Sequence, residues 1–498
     1  MTPSASEAAT LERALEGPRL AGLLQDGLLI DGSWRAPASG ERLAVTDPAT
    51  GIVVAEIACA NAAEVLEAIT SARAATDGWA KATATERADV LMTWRDLVLQ
   101  ATEELAVLLT AEQGKPLGEA RGEISYSAAF IRWYAEECRR SYGEIIPTNR
   151  SGRRLLAVRQ PVGVVAAVTP WNFPALMIAR KVAPAIAAGC GVVLKPASEA
   201  PLSALALAEL GRRAGLPPGV FNVVHGDPAV VGPVLVASPE VRMLTFTGST
   251  EVGRLLMAQC APTVKRLALE LGGNAPFIVF SDADLDTAVP GAIEAKFRNG
   301  GQTCTCANRF YVHEAVRDEF IERFCIAVRA LRVGAGFEEG VAVGPLIHDR
   351  AMDKVERHVR DAVSRGASVV TGGRRHPRGG TFFEPTVLVD VDASMEVTQA
   401  ETFGPVAPII TFREEHEVVS MANATESGLT AYFYTRDLAR AVRISEALDF
   451  GVIGVNTGSI SYEGAPFGGV KQSGLGREGS RHGLDEFTEL KYLCIDGI

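Results

Sequence analysis

The stretch Pro161-Val162-Gly163-Val164-Val165-Ala166-Ala167-Val168-Thr169-Pro170-Trp171-Asn172-Phe173-Pro174 changes the rhythm of the chain. From here short continuous apolar runs, at 162–168, 192–194, 220–224 and 243–246, alternate with helix-like segments at 175–188, 201–214, 230–237 and after Thr250. Apolar strands separated by amphipathic helices imply a parallel sheet covered on both faces, a doubly wound α/β domain. Such sheets bind ligands beyond the carboxyl ends of their strands. The segments that follow the first, second and fourth runs are polar or Gly-rich: Thr169-Pro170-Trp171-Asn172, Lys195-Pro196-Ala197-Ser198, and Thr247-Gly248-Ser249-Thr250-Glu251-Val252-Gly253. The last lacks the GxGxxG fingerprint, so its case for a dinucleotide site leans on the other two loops.

N-terminal to this domain, turns and short apolar runs over 27–57 suggest hairpins, and 62–111 carries apolar residues at helical spacing. Val90, Leu91, Trp94, Leu97 and Val98 share one face, continued by Leu105, Leu108 and Leu109. A further helix is expected over 126–140 and an extended excursion over 145–159. The first twenty residues, with Glu7, Glu12 and Glu16, resemble neither a secretory signal nor a transit peptide and read as a frayed leader. C-terminal to it, a second α/β unit begins at Pro276, with strands at 277–280, 310–312, 367–370, 408–412, 431–434 and 452–456. Helices are expected up to Arg298 and over 321–331. The alternating tail Glu489-Leu490-Lys491-Tyr492-Leu493-Cys494-Ile495 can add a strand to another sheet edge, which suggests a homodimer or homotetramer. The expected division is a cofactor domain over 20–143 and 163–270, a catalytic domain over 271–465, and an oligomerisation segment over 144–162 and 466–498.

Composition narrows the function. The 498 residues carry a net charge of −11, 47% apolar and 22% charged residues. That balance describes a globular protein with no nucleic acid as partner, and no run of about 18 apolar residues suggests a membrane span. The eight cysteines are scattered, without CxxC or metal-ligand spacing, which predicts no metal and a reducing, cytoplasmic setting.

One cysteine sits in an unusual context, Arg298-Asn299-Gly300-Gly301-Gln302-Thr303-Cys304-Thr305-Cys306-Ala307-Asn308. A thiol on a Gly-flanked bend is reachable by substrate, and its backbone N–H is free to face an oxyanion. The alternative is a small apolar filler.

The segments Pro170-Trp171-Asn172-Phe173-Pro174, Phe246-Thr247-Gly248-Ser249, Leu269-Glu270-Leu271-Gly272-Gly273, Gly301-Gln302-Thr303-Cys304 and Glu401-Thr402-Phe403-Gly404-Pro405 together resemble the aldehyde dehydrogenase superfamily, in its order and across nearly the whole chain. Within it the chain looks most like the succinate-semialdehyde dehydrogenases, notably at 296–299, 304–309 and 467–478. The resemblance implies NAD(P)-dependent oxidation of a small semialdehyde, with Cys304 as nucleophile, Glu270 as general base and Asn172 as oxyanion donor. It implies carboxylate recognition by Arg180, Arg298 and Ser461. It places Trp171, Lys195, Ser198, Gly248, Ser249, Leu271, Glu401 and Phe403 at the cofactor. NAD-preferring relatives commonly carry Glu where Ser198 stands, so NADP is expected to be preferred over NAD, while Glu199 turned inward would favour NAD. Cys306 is either a tolerated small residue or the partner of Cys304 in a reversible disulfide. A glutarate-semialdehyde dehydrogenase or a broader aldehyde dehydrogenase is the alternative reading, since one methylene changes discrimination by only about 1–3 kcal/mol.

Overall fold

The computed structural model describes residues 5–497. Five parallel strands, β1 (Val164–Val168), β2 (Gly191–Lys195), β3 (Phe221–Val223), β4 (Val241–Thr247) and β5 (Arg266–Glu270), are ordered β5-β4-β1-β2-β3. The antiparallel strand Gly474–Leu475 borders β5, and the hairpin Leu28–Ile30/Ser33–Arg35 borders β3, giving eight strands in all. The chain runs outward from β1 to β3 and then returns to β4 on the other side of β1. The strand order therefore reverses between β1 and β4, and the crevice a doubly wound sheet offers to ligands opens there.

The leader is not frayed over the described residues. Ala5–Leu20 is a helix, α1, whose Leu11 and Leu15 are buried against the helix Thr102–Gln113. Two leucines four residues apart are enough to seat one face of a helix, and the acidic residues around them hide that face in the sequence. Residues 1–4 of that leader lie outside the described residues. The helical region 62–113 is three helices, Ala62–Trp79, Ala84–Gln100 and Thr102–Gln113, the first two closed by capping boxes at Asn61/Glu64 and Thr83/Glu86. Helix α2 (Leu117–Glu137) packs on α3 (Pro174–Ala188), which is buried along its whole length. Helix α4 (Thr250–Cys260) leaves the end of β4, with Ser249 as its N-cap.

The second sheet has seven strands: β6 (Ala275–Val279), β7 (Ala307–His313), β8 (Ser368–Thr371), β9 (Thr386–Val389), β10 (Val406–Phe412), β11 (Thr430–Tyr434) and β12 (Val452–Val455). Their order is β8-β9-β10-β7-β6-β11-β12, parallel except at β8/β9. Helix α5 (Leu285–Phe297) connects β6 to β7 and ends at the bend that leads to Cys304. The helix Arg317–Arg329, over the region expected at 321–331, packs on α5, and the helices Asp349–Ser364, Glu415–Asn423 and Leu438–Ala447 also belong to this unit.

The strand Arg153–Pro161 pairs with Thr488–Asp496 over nine residues, and Glu144–Ile146 flanks it. Leu490 and Tyr492 are exposed on this small sheet. The stretch before the tail behaves differently, since Gly474 and Leu475 join the first sheet and Ser473 clamps the loop after β5. Among the described residues, no helix is long and apolar enough to cross a membrane.

Candidate active site

Two cavities meet at Cys304. The first, about 380 Å³, lies over the reversal between β1 and β4 and is lined by Trp171, Asn172, Ser249, Leu271, Glu401 and Phe403 together with Cys304. Gly248 lines it too. The second, about 330 Å³, opens on the other side of the thiol and is lined by Tyr126, Arg180, Arg298, Ser461 and Phe467. Residues from both sheets and from the 459–467 loop thus converge on one sulfur.

The bend that carries Cys304 is built by backbone conformation. Asn299, Gly300 and Gly301 all take positive φ, which halts α5 and turns the chain across the cleft. A Cβ at Gly301 would stand 2.3 Å from the Gly404 carbonyl oxygen, so only glycine lets the two loops touch. Gly273 is equally constrained, its missing Cβ facing the Cys304 carbonyl oxygen at 2.5 Å. Cys304 itself is half-buried. Burial, then the charges of Glu401 and Glu270, push its thiol up to about 12, against the pull of Arg180 and Arg298.

Asn172 is buried at the end of the loop after β1, and its Nδ2 donates to the Gln302 carbonyl oxygen at 3.0 Å. A primary amide has two N–H donors, so one remains for the cavity. Glu270 ends β5 and lines neither cavity. It is buried near enough to the thiol for its charge to act on it, with Oε2 unpartnered among the described residues and Oε1 beside Gly468, whose missing Cβ leaves it room. Burial and the neighbouring charge of Glu478 raise its pKa well above the usual carboxylate range, opposed by Lys181, Arg180 and Arg477.

Arg180 projects from α3 between the rings of Phe130 and Phe467, 4.9 and 4.3 Å from their centroids, with Glu478 3.7 Å away. Its Nε has no hydrogen-bond partner among the described residues. Arg298 is half-buried over Phe173 at 5.3 Å and has no ion-pair partner among the described residues. Tyr126 adds a buried hydroxyl in the same chamber, between Arg180 and Ser461. The sequence places Tyr126 only at the start of an expected helix over 126–140, and an aromatic there gives no sign of the hole it borders.

Lys195 and Ser198 follow β2 and lie outside the lining of both cavities. Lys195 folds onto its own loop, Nζ to the Pro196 carbonyl oxygen 3.2 Å, and burial lowers its pKa. Glu199 is exposed. His225, not singled out in the sequence, is buried nearby with both ring nitrogens unpartnered among the described residues and is held neutral down to about 3 by burial and then by the charge of Lys195. Cys306 points away from the cavities and donates to the Lys296 carbonyl oxygen at 3.0 Å.

The first cavity suits the nicotinamide half of a dinucleotide. The hydroxyls of Thr169 and Thr247 are buried at the ends of β1 and β4 without partners among the described residues. The Trp171 and Phe403 rings meet edge to face at 5.5 Å, and Glu401 presents a half-buried carboxylate whose pKa is raised to about 7, chiefly by desolvation. Phe403 holds φ at 54°, a strained conformation of the kind found at ligand clamps.

The aldehyde dehydrogenase family model matches residues 34–493. The chain belongs to the aldehyde dehydrogenase family. It is an enzyme, and the α/β fold read from the strand rhythm is the fold of this family. Three relatives are similar in sequence throughout. The glutarate-semialdehyde dehydrogenase of Pseudomonas aeruginosa is 54% identical over 476 residues, 96% of this chain and 99% of that one. The NADP(+) succinate-semialdehyde dehydrogenase GabD of Escherichia coli K12 is 55% identical over 473 residues, 95% and 98% of the two chains. The 3-sulfolactaldehyde dehydrogenase of Pseudomonas putida is 55% identical over 476 residues, 96% and 98%. Aldehyde dehydrogenases use NAD or NADP, and the cavity over β1 and β4 is the part of this chain that fits such a cofactor.

Proposed function

We propose that this enzyme oxidises succinate semialdehyde to succinate and uses NADP in preference to NAD. The observation that carries the substrate reading is the chamber in which Arg180, Arg298 and Ser461 stand opposite Cys304. A guanidinium matches a carboxylate in shape and charge, and Arg298 makes no close ion pair among the described residues, its charge being felt by Glu119 in the same chamber.

Cys304 adds to the aldehyde carbon, and its proton leaves toward Glu270. The oxygen that gains charge is received by the free N–H of Asn172 Nδ2 and the backbone N–H of Cys304. Trp171, Ser249, Glu401 and Phe403 would hold a nicotinamide cofactor, which would accept the hydride lost from the substrate carbon; Cys304 then carries the acyl group as a thioester. Glu270 releases that first proton to solvent and, as a carboxylate again, takes a proton from the water that hydrolyses the thioester. Because Glu270 lines neither cavity, it acts by swinging past Gly468 or through a water.

The NADP reading rests on the family resemblance, which puts Ser198 where NAD-preferring relatives carry Glu, and on Glu199 being exposed to solvent. The GabD relative's printed NADP(+) dependence supports it. A longer or sulfonated substrate is the second reading, favoured by the glutarate-semialdehyde and 3-sulfolactaldehyde relatives, since the same two cations receive either anion. The test is a panel of C3 to C6 semialdehydes, 3-sulfolactaldehyde and neutral aldehydes, each with NADP and NAD. The expected result is the highest kcat/KM for succinate semialdehyde with NADP. A neutral aldehyde as best substrate would remove the carboxylate chamber from the argument.

A further inference from the structure

Lys115 and Glu123 form an ion pair, Nζ to Oε2 2.6 Å, with side chains 0% and 1% exposed. Neither residue is assigned a part in the chemistry above. Burying two charges costs desolvation that their attraction barely offsets, so such a pair is poorly explained by stability alone. Its remaining hydrogen bonds show what it holds.

Lys115 Nζ donates a second hydrogen bond to the Asn172 carbonyl oxygen at 2.9 Å, and Asn299 Nδ2 reaches that oxygen at 3.0 Å. The other carboxylate oxygen of Glu123 accepts the N–H groups of Ala175 and Leu176 at 3.0 and 3.2 Å. These belong to the first turn of α3, which has no side-chain cap of its own. Pro174 has no N–H to give. Lys115 Nζ also lies 4.0 Å over the Phe173 ring. One ion pair therefore grips residues 172 to 176 at both ends, with Asn172 on one side and the start of the helix bearing Arg180 and Lys181 on the other.

We propose that Lys115 and Glu123 are positioning residues for the oxyanion donor, fixing the Asn172 amide against Cys304 for thioester formation. The inference rests on Asn172 serving as that donor. Holding the backbone of residue 172 from a fully dehydrated ammonium fixes where its side chain starts, while the Gln302 carbonyl fixes where one amide hydrogen points. The other hydrogen is left aimed by elimination. Displacements near 1 Å at such donors cost on the order of 10²-fold in rate.

The test uses the full-length enzyme with Lys115→Met, Asn172→Ala and the double variant. Three quantities are read: kcat and KM with succinate semialdehyde, cofactor-free hydrolysis of p-nitrophenyl acetate, and the NADP dissociation constant by fluorescence. Lys115→Met is expected to lower kcat and ester hydrolysis together by about 10- to 100-fold, with NADP affinity unchanged within about threefold. In the Asn172→Ala background the same change is expected to cost less than about threefold more, because its effect has already been lost. Full activity in Lys115→Met beside an impaired Asn172→Ala overturns the positioning role and leaves the oxyanion reading standing, as do fully multiplicative losses. An unimpaired Asn172→Ala removes the oxyanion reading itself. Should Lys115→Met fail to fold, Lys115→Met/Glu123→Gln carries no unpaired charge and keeps an oxygen for α3. This variant is expected to fold and stay slow, and activity regained with folding would assign the pair to stability alone.

Discussion

Lys181 and Glu478 form an enclosed ion pair, Nζ to Oε1 2.6 Å, and Glu478 is also the negative charge that faces Glu270. The general base proposed for thioester hydrolysis thus sits in a chain of charges, with burial as the larger reason for its raised pKa and Glu478 next. Thr245 Oγ1 receives the same Lys181 ammonium at 3.2 Å, tying this chain to β4.

The working forms of Cys304 and Glu270 are the deprotonated ones, and the structure raises both pKa values. Activity is therefore expected to rise with pH from the acid side. Glu478→Gln removes one charge that holds the Glu270 proton and frees Lys181 and Arg180 to stabilise the carboxylate, so both effects act in one direction. The rising limb of the kcat–pH profile is expected to move to lower pH in this variant. A limb that stays in place, in enzyme shown to be folded by its melting curve, would detach Glu478 from the base.

Arg298 offers the cleaner probe of carboxylate recognition, because Arg180 is shared with Glu478 and two rings. Arg298→Ala is expected to lower kcat/KM for succinate semialdehyde by about 10- to 100-fold, the equivalent of one charge-assisted hydrogen bond of roughly 1.5–3 kcal/mol. Butanal should lose little. Tyr126→Phe is expected to act in the same sense but more weakly, through KM. Equal losses for charged and neutral aldehydes would turn Arg298 into a structural residue.

The residues visible in the sequence are those on the loops at strand ends, where Gly, Pro and polar types cluster: Asn172, Ser249, the Cys304 bend. Doubly wound topology makes those positions informative before any contact is known. Strand β5 is harder to see, because Arg266-Leu267-Ala268-Leu269-Glu270 mixes charge into five residues and breaks the apolar run. Glu478 and Lys115 were silent for a different reason. Each looks like an ordinary surface charge, and only the fold brings Glu478 from the C-terminal region onto Lys181 and sinks Lys115 beneath Asn172. Local composition carries no record of such long-range partners.

Cofactor preference is testable at one position. If, as the family resemblance implies, Ser198 faces the ribose, Ser198→Glu sets a carboxylate against a 2′-phosphate, so NADP binding is expected to weaken by about tenfold or more while NAD binding holds or improves. Fluorescence titration of each cofactor measures this without turnover. Unchanged NADP affinity would separate Ser198 from the phosphate, and wild type strongly favouring NAD would end the NADP reading.

A reversible Cys304–Cys306 disulfide has a stated structural condition. The two thiols sit on one tight turn, closed by the Cys306 N–H on the Thr303 carbonyl oxygen at 2.9 Å, and Cys306 is held on the Lys296 carbonyl. To bridge, Cys306 must break that hydrogen bond and turn toward the half-buried Cys304, which peroxide reaches first. Sulfenic acid formed at Cys304 would then be captured by the Cys306 thiol with loss of water, before a second peroxide drives it to sulfinic acid. On this account peroxide inactivation is reversed by dithiothreitol in the wild type and becomes largely irreversible in Cys306→Ala, with a 32 Da gain at Cys304 by mass spectrometry, about two oxygen atoms. Equal recovery in the two proteins would leave Cys306 as a packed thiol beneath the loop, its hydrogen bond to Lys296 the whole of its part.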